Sequence, residues 1–165
     1  MIVNKVGIDA IPIIQQIAYS SWAVAYKDIL SQSQIDYMLE EFYCNSSLQK
    51  QIEEQAHQFI LLSDDEKTIG FASYSLKKEL EKSYQLNKIY INPASQGKGS
   101  GKLLIAYIIN EIKLLDAKSL QLNVNRHNEK AIAFYKKLGF KVVAEQNNSI
   151  GNNYFMDDYV MSLSL

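Results

Sequence analysis

The sequence predicts an α/β (α+β) fold: one mixed sheet of about six to seven strands with helices packed on it. Three observations carry this expectation. Hydrophobic residues recur at helical spacing over Ile11–Tyr26 and Ile35–Phe42, then shift from Gln58 onward to alternation and short apolar runs. A glycine-rich loop, Gln96-Gly97-Lys98-Gly99-Ser100-Gly101, separates a β-favouring segment from an apolar helical one. The order strand, glycine loop, helix, strand, helix, strand makes the strands ending at Ile91 and Val124 parallel, joined by a right-handed crossover.

Met1 to Gly7 reads as a first strand, with Asp9 as N-cap of a helix reaching about Tyr26 and Pro12 in its first turn. A second helix starts after Ser31 or Ser33, and Ser46 to Gln55 supplies a third. Phe59–Leu62 and Thr68–Leu76 flank the polar turn Ser63 to Lys67 and form a hairpin. Tyr84 to Ile91 is a strand stopped by Asn92-Pro93, and a broadly apolar helix runs from Ser100 to Asp116. Leu120, Leu122 and Val124 alternate in a core strand. Asn128 caps the next helix, which Gly139 ends in a left-handed C′ conformation with Phe140 folding back. Strands over Lys141–Glu145 and Tyr154–Leu163 finish the chain.

At 165 residues the chain fits a single domain, residues 1–165. A net charge of −1 gives no footprint for a phosphate backbone, so nucleic acid is not an expected partner. The longest apolar run, Leu103 to Ile109, falls short of the ~20 residues that cross a bilayer, and no basic segment leads into an N-terminal apolar one. A lone cysteine, Cys44, makes no internal disulfide, and neither His57 nor His127 stands at zinc-ligand spacing from it. These features give the expectation of a cytoplasmic protein with no metal and no membrane association.

The glycine loop places backbone N–H groups at a helix N-terminus, where the macrodipole is positive and phosphate binds. Spacing then separates the loop classes. A dinucleotide fingerprint needs Gly-x-Gly-x-x-Gly, but Lys102 stands where the third glycine belongs. A P-loop fails too, because Gln96 occupies its first glycine and Leu103 follows Gly101-Lys102. A glycine-rich turn without ligand is the remaining alternative on the loop alone.

Gln96-x-x-Gly99-x-Gly101 resembles the Gln/Arg-x-x-Gly-x-Gly/Ala motif of the GCN5-related N-acetyltransferase (GNAT) superfamily. Leu86-x-x-Ile89-Tyr90-Ile91-x-Pro93 is similar to the strand and turn before that motif, and Asn128-x-x-Ala131-x-x-Phe134-Tyr135-x-x-x-Gly139-Phe140 to the helix after it. The resemblance is specific from about Tyr84 to Val143; the N-terminal half matches in element order only.

The resemblance implies helices on both faces of the sheet and two parallel strands splayed around an acetyl-CoA cleft. The amides of Gln96, Gly97, Lys98, Gly99, Ser100 and Gly101, with Lys102, would hold the CoA pyrophosphate. The backbone of Ile89, Tyr90 and Ile91 would pair with the pantetheine arm, the amide of Tyr90 or Ile91 meeting the developing oxyanion. Asn128, Ala131 and Phe134 match cofactor-contacting positions, although helix capping alone accounts for an Asn at 128. Tyr135 matches the tyrosine that protonates the departing thiolate, and a phenol near pKa 10 suits that task, although a core tyrosine on the helix's apolar stripe is the alternative.

The acceptor implied is the primary amine of a small molecule. Trp22 and Tyr26 share a helix face in the region lining the acceptor side of similar enzymes, and a core stripe explains them as well. Trp22-x-x-x-Tyr26 together with Met156-Asp157-Asp158-Tyr159-Val160-Met161 is similar to bacterial enzymes that acetylate polyamines, with Asp157 and Asp158 suited to a cationic amine. Many members carry a glutamate base before the loop; Gln85, Asn87 and Lys88 stand there instead, which leaves the base unassigned, with a water-mediated route or the Asp157-Asp158 pair as alternatives and a solvated strand edge as the plainer reading of those two acids. The rival readings are a silent acyl-CoA-binding or regulatory module and an enzyme acting on protein or peptide amines. A homodimer is common among similar proteins, and Val160, Met161 and Leu163 would contribute to one.

Overall fold

A computed structural model describes residues 1–165. The elements, in chain order, are β1 (Ile2–Val6), α1 (Ile11–Ala25), α2 (Gln32–Tyr43), α3 (Asn45–Glu53), β2 (Gln58–Asp64), β3 (Lys67–Leu76), β4 (Ser83–Ile91), α4 (Ser100–Lys113), β5 (Ser119–Asn125), α5 (Glu129–Lys137), β6 (Lys141–Gly151) and β7 (Tyr154–Ser164). The strands form one mixed seven-stranded sheet in the order β1-β2-β3-β4-β5-β7-β6, in which β4 and β5 are the parallel neighbours. One core lies between the sheet and α4 with α5, built on Leu104, Ile105, Ile108 and Ile132. The other lies under α1, α2 and α3, where Ile14, Ile17, Leu39 and Leu48 meet Phe59 and Phe71. Helices therefore cover both faces, as the sequence leads one to expect. No helix is long and apolar enough to cross a membrane.

Local chemistry accounts for most element ends. Ser31 Oγ accepts from the Gln34 amide and Asn128 Oδ1 from the Ala131 amide, each capping the helix that follows. At the end of α5, Gly139 has φ +95°, its N–H bonds Lys136 O and the Phe140 N–H bonds Tyr135 O. These are the two bonds of a Schellman motif. Asp9 differs from expectation: it lies within a 3-10 turn, Ile8–Ala10, and Ala10 precedes α1 without a side-chain cap. The sixth strand also runs past Glu145 to Gly151. Its polar stretch Gln146 to Ser149 has little strand propensity, but pairing with β7 supplies a ladder, and Asn152 and Asn153 turn it with positive φ.

Two irregularities in β4 shape the cleft. Ser73 pairs with Lys88 while Tyr74 pairs with Leu86, so Asn87 is an extra residue, a β-bulge. Side-chain phase flips there: Tyr84 and Leu86 face the α4 core, and so do Ile89 and Ile91, while Tyr90 faces α1. The β4–β5 ladder stops at Leu86↔Leu122, leaving β4 unpaired on that side from Asn87 to Ile91. Beyond that point β5 continues to pair only with β7, and β4 only with β3.

Gly70 lets β3 approach this region. A Cβ there would lie 2.5 Å from Ile91 Cδ1 and 2.9 Å from the Tyr90 carbonyl oxygen. The side chain can turn aside; the carbonyl cannot without moving β4. Gly70→Ala is expected to cost ~1–3 kcal/mol by overpacking, which for a domain of this size lowers Tm by roughly 3–10 °C, read by calorimetry. An unchanged Tm would mean that β4 shifts freely.

Candidate active site

The opening between β4 and β5 is the floor of a cleft of about 880 Å³. Ile89, Tyr90 and Ile91 line it from β4, and Gln96, Gly97, Gly99, Ser100, Gly101 and Lys102 from the loop and the start of α4. Asn128, Ala131, Phe134 and Tyr135 close it from the α5 side. Of the loop positions singled out from sequence, Lys98 alone does not line the cleft.

Backbone alternation sorts the β4 amides. The Asn92 N–H bonds Ile69 O across to β3, so the Tyr90 N–H faces β3 as well, and those of Ile89 and Ile91 face the cleft. The Ile91 carbonyl accepts from Ser21 Oγ at 3.3 Å and Gln96 Nε2 at 3.2 Å, which ties α1 and the loop to the end of β4. Gln96 Oε1 accepts from Lys130 Nζ at 3.3 Å, so one side chain bridges β4, the loop and α5. Gly97 and Gly99 have φ of +83° and +80°, and Gly99 is the N-cap of α4. A Cβ on Gly101 would lie 3.1 Å from Phe134 Cζ, so α4 begins in contact with α5. Amides that converge at a helix N-terminus through two left-handed glycines make a cradle for a polyanion.

A second cavity of about 290 Å³ adjoins the first on the α1 and α2 side of the sheet; Tyr26, Asn87, Lys88, Tyr90 and Asn123 line both. Trp22, Met38, Phe42 and Tyr43 wall it from the helices, and Asn148, Ile150, Met156 and Asp158 from the β6–β7 hairpin. The hairpin is fastened to α2 by Tyr37 Oη donating to Ile150 O at 2.9 Å and Gln34 Nε2 to Phe155 O at 2.8 Å. Trp22, Tyr26, Tyr43 and Tyr90 form an aromatic cluster, with Trp22–Tyr26 centroids 4.5 Å apart and Tyr43–Tyr90 6.4 Å. Trp22 is thus both core, at 4% exposure, and cavity wall, and its buried indole Nε1 has no partner.

Burial pushes the phenols of Tyr135, Tyr26, Tyr43 and Tyr90 above their usual range, so all stay protonated at neutral pH. Asp158 is 7% exposed, its Oδ1 has no hydrogen-bond partner, and burial raises its carboxyl to about 6. Asp157 does not reach either cavity; its carboxylate pairs with Arg126 Nε at 2.9 Å. Adjacent strand residues point to opposite faces, which separates the two acids. Sequence reasoning did not find Tyr43, Asn123, Asn125 or Asn148. The asparagines of β5 alternate with Leu122 and Val124, a polar face on a core strand that was the available signal. Asn148 and Tyr43 carry no local signal, since distant segments bring them in.

The acetyltransferase (GNAT) family model matches residues 17–140. The chain belongs to this family. Among curated relatives, the peptidyl-lysine N-acetyltransferase YjaB of Salmonella typhimurium is 31% identical over 101 residues, 61% of this chain and 61% of that protein. The chain thus spans about three-fifths of that relative's length. The spermidine N(1)-acetyltransferase of Thermoplasma acidophilum is 26% identical over 159 residues, 94% of each chain. The GNAT architecture is shared with the crystal structure of the PaiA N-acetyltransferase of Thermoplasma acidophilum in complex with coenzyme A. That match has a TM-score of 0.83 and 23% identity, and covers 99% of this chain and 98% of that one.

Proposed function

We propose that this GNAT protein transfers the acetyl group of acetyl-CoA to a primary amine of a small cationic molecule, of which a polyamine is the leading candidate, by direct attack in a ternary complex. The observation that carries the acceptor class is Asp158, a nearly buried carboxylate beside Asn148 whose Oδ1 has no hydrogen-bond partner, on the wall of a cavity that adjoins the donor cleft. An isolated buried carboxylate costs free energy to ionise, and a cationic ligand offsets that cost. The spermidine acetyltransferase aligned along nearly the whole chain supports the same class.

The donor side fits a CoA thioester. Gly97, Gly99, Ser100 and Gly101 would hold its pyrophosphate, and the open amide of Ile91, rather than that of Tyr90, would face the thioester oxygen. When bound, the thioester supplies the activated acyl carbon. Tyr135, on α5 at the cleft wall, would donate the proton to the departing sulfur, since its raised pKa keeps the phenol loaded. A pure acyl-CoA-binding module has no use for that phenol.

The test is thiol release from acetyl-CoA over polyamines, aminoglycosides, amino acids and lysine peptides. Turnover of spermidine or spermine above the others supports the proposal. Peptide-lysine turnover alone would favour the activity named for YjaB, and no turnover with any amine would leave the binding module.

Asp158→Asn gives a sharper expectation. Loss of a charge-assisted contact of ~1.5–3 kcal/mol should raise KM for a cationic acceptor roughly 10- to 100-fold, with KM for acetyl-CoA little changed. In the wild type, acceptor affinity should improve as pH rises through about 6, where Asp158 ionises. Stability moves oppositely: the folded pKa exceeds the unfolded value of 3.8, so unfolding releases a proton and stability falls as pH climbs from about 4 to 6. Asp158→Asn removes that dependence and should stabilise the unliganded protein at pH 7 by ~1 kcal/mol, discounted because the cavity admits solvent. An acceptor KM that does not depend on Asp158 would overturn its role.

A further inference from the structure

The bulge at Asn87 has one more effect: it turns Lys88 to the α1–α2 face, onto the wall shared by the donor cleft and the smaller cavity. Without the extra residue, Lys88 would keep the phase of Leu86 and point into the α4 core. Its ammonium nitrogen lies 5.1 Å from the centroid of the Tyr43 ring, and no salt bridge in the protein includes it. A half-buried lysine without an anionic partner, at the junction of two cavities, is costly to charge. Structural lysines are instead held by carboxylates or extend into solvent.

The surroundings reinforce this. Tyr43 faces Lys88 from α2, the partially buried His57 from the segment before β2, and Ser73 from β3, where it is the register partner. Tyr26 and Tyr90 line the same two cavities with neutral phenols. Burial, and then the charge of Lys88, hold the His57 imidazole down to about 4, so it too is neutral. The acid on the smaller cavity's wall is Asp158, which is not within ion-pair distance of Lys88. Burial lowers the Lys88 ammonium from 10.5 to about 8, which leaves an appreciable neutral fraction at the pH where an amine must be deprotonated.

We propose that Lys88 is the general base that takes the proton from the acceptor ammonium before attack. The role rests on the amine-acetylation reading above. The Lys88 nitrogen lone pair accepts one proton from the acceptor's ammonium. The freed lone pair forms the new C–N bond as the C–S bond breaks, and the sulfur takes a proton from Tyr135. Lys88 returns its proton to solvent along the open cleft, the nitrogen of the new amide loses its second proton to solvent as the C–S bond breaks, and solvent reprotonates Tyr135 by the end of the cycle. The sum is ammonium plus thioester giving amide, thiol and one proton. This places a base where the glutamate of many family members is missing.

Two variants separate base from charge and from packing. Lys88→Arg keeps the positive charge and cannot lose it; Lys88→Met keeps the length and has none. With an alkylamine acceptor of pKa near 10, both should lose about 10²-fold in kcat, and the break near pH 8 in the wild-type kcat/KM profile should disappear. With a weakly basic amine, already neutral at pH 7, both should stay within about threefold of wild type, because no proton need be removed. In the unliganded protein, an NMR titration of isotopically methylated lysines should show one resonance, absent from Lys88→Met, with a midpoint near 8.

Full activity of Lys88→Arg with the alkylamine overturns the proposal, as does equal loss with both amine types or a midpoint near 10.5. Failure here is distinct from failure of the functional reading: in the first case wild type acetylates amines and the variants follow it, in the second wild type acetylates none.

Discussion

Replacing Tyr135 by Phe is expected to lower kcat by about 10²-fold, equivalent to ~2.7 kcal/mol of transition-state stabilisation, while the Kd for acetyl-CoA stays within about threefold. The separation follows from what the ring and the hydroxyl each do. The ring is part of the α5 core, its centroid 5.7 Å from that of Phe140 and 5.3 Å from that of Phe134, and phenylalanine retains that packing. On the proposed mechanism the hydroxyl would serve only the departing sulfur. A thiolate whose conjugate acid lies near 8.5 is a modest leaving group at neutral pH, and a proton delivered as the bond breaks removes the developing charge.

The variant also makes a second, chemical demand. A donor whose thiol is much more acidic needs no proton on leaving, so Tyr135→Phe should approach wild-type rates with an acetyl thioester of an arylthiol. Burial holds the phenol protonated throughout the accessible range, so Tyr135 itself should contribute no break to the pH profile. A kcat within threefold of wild type would remove Tyr135 from the chemistry.

The C-terminal half was legible in the sequence because its chemistry is local. Gly97 and Gly99 take positive φ, Asn128 caps α5, and Gly139 with Phe140 closes it; each is dictated by residues within a few positions. The parallel pair and its crossover followed from element order alone. The smaller cavity was legible only in Trp22, Tyr26 and Asp158, because three distant segments build it: α1, α2 and the β6–β7 hairpin meet only through long-range contacts such as Tyr37 with Ile150. The hairpin's tip hides behind Gln146 to Ser149, whose polarity reads as loop until β7 pairs with it.

The bulge at Asn87 was the most consequential invisible feature. One extra residue reverses which β4 side chains face the smaller cavity, so a lysine that strand alternation assigns to the other core stands at the junction of the two cavities. Sequence alone supplied Asp157 and Asp158 as an indistinguishable pair. Pairing of Asp157 with Arg126 and the burial of Asp158 tell them apart.

Gly99→Val should raise the Kd for acetyl-CoA by roughly 10- to 100-fold and leave the rest of the molecule nearly untouched. At φ +80° a β-branched residue is strained by ~1–2 kcal/mol or more, yet no heavy atom lies within 4 Å of where a Cβ would sit. The cost is therefore conformational, and the loop relieves it by turning the amides that open α4 away from their common focus. If those amides hold the pyrophosphate, the penalty belongs to that part of the donor alone. S-acetylpantetheine, which carries the thioester and arm without the pyrophosphate, should then be used equally by Gly99→Val and wild type, at the poorer level the truncated donor allows. Gly7→Ala is the control, since Gly7 has φ −114° and equally open space around its Cβ position. Parallel losses with both donors would mean that the loop shapes the thioester end instead, and that the anion is held elsewhere on the cleft wall.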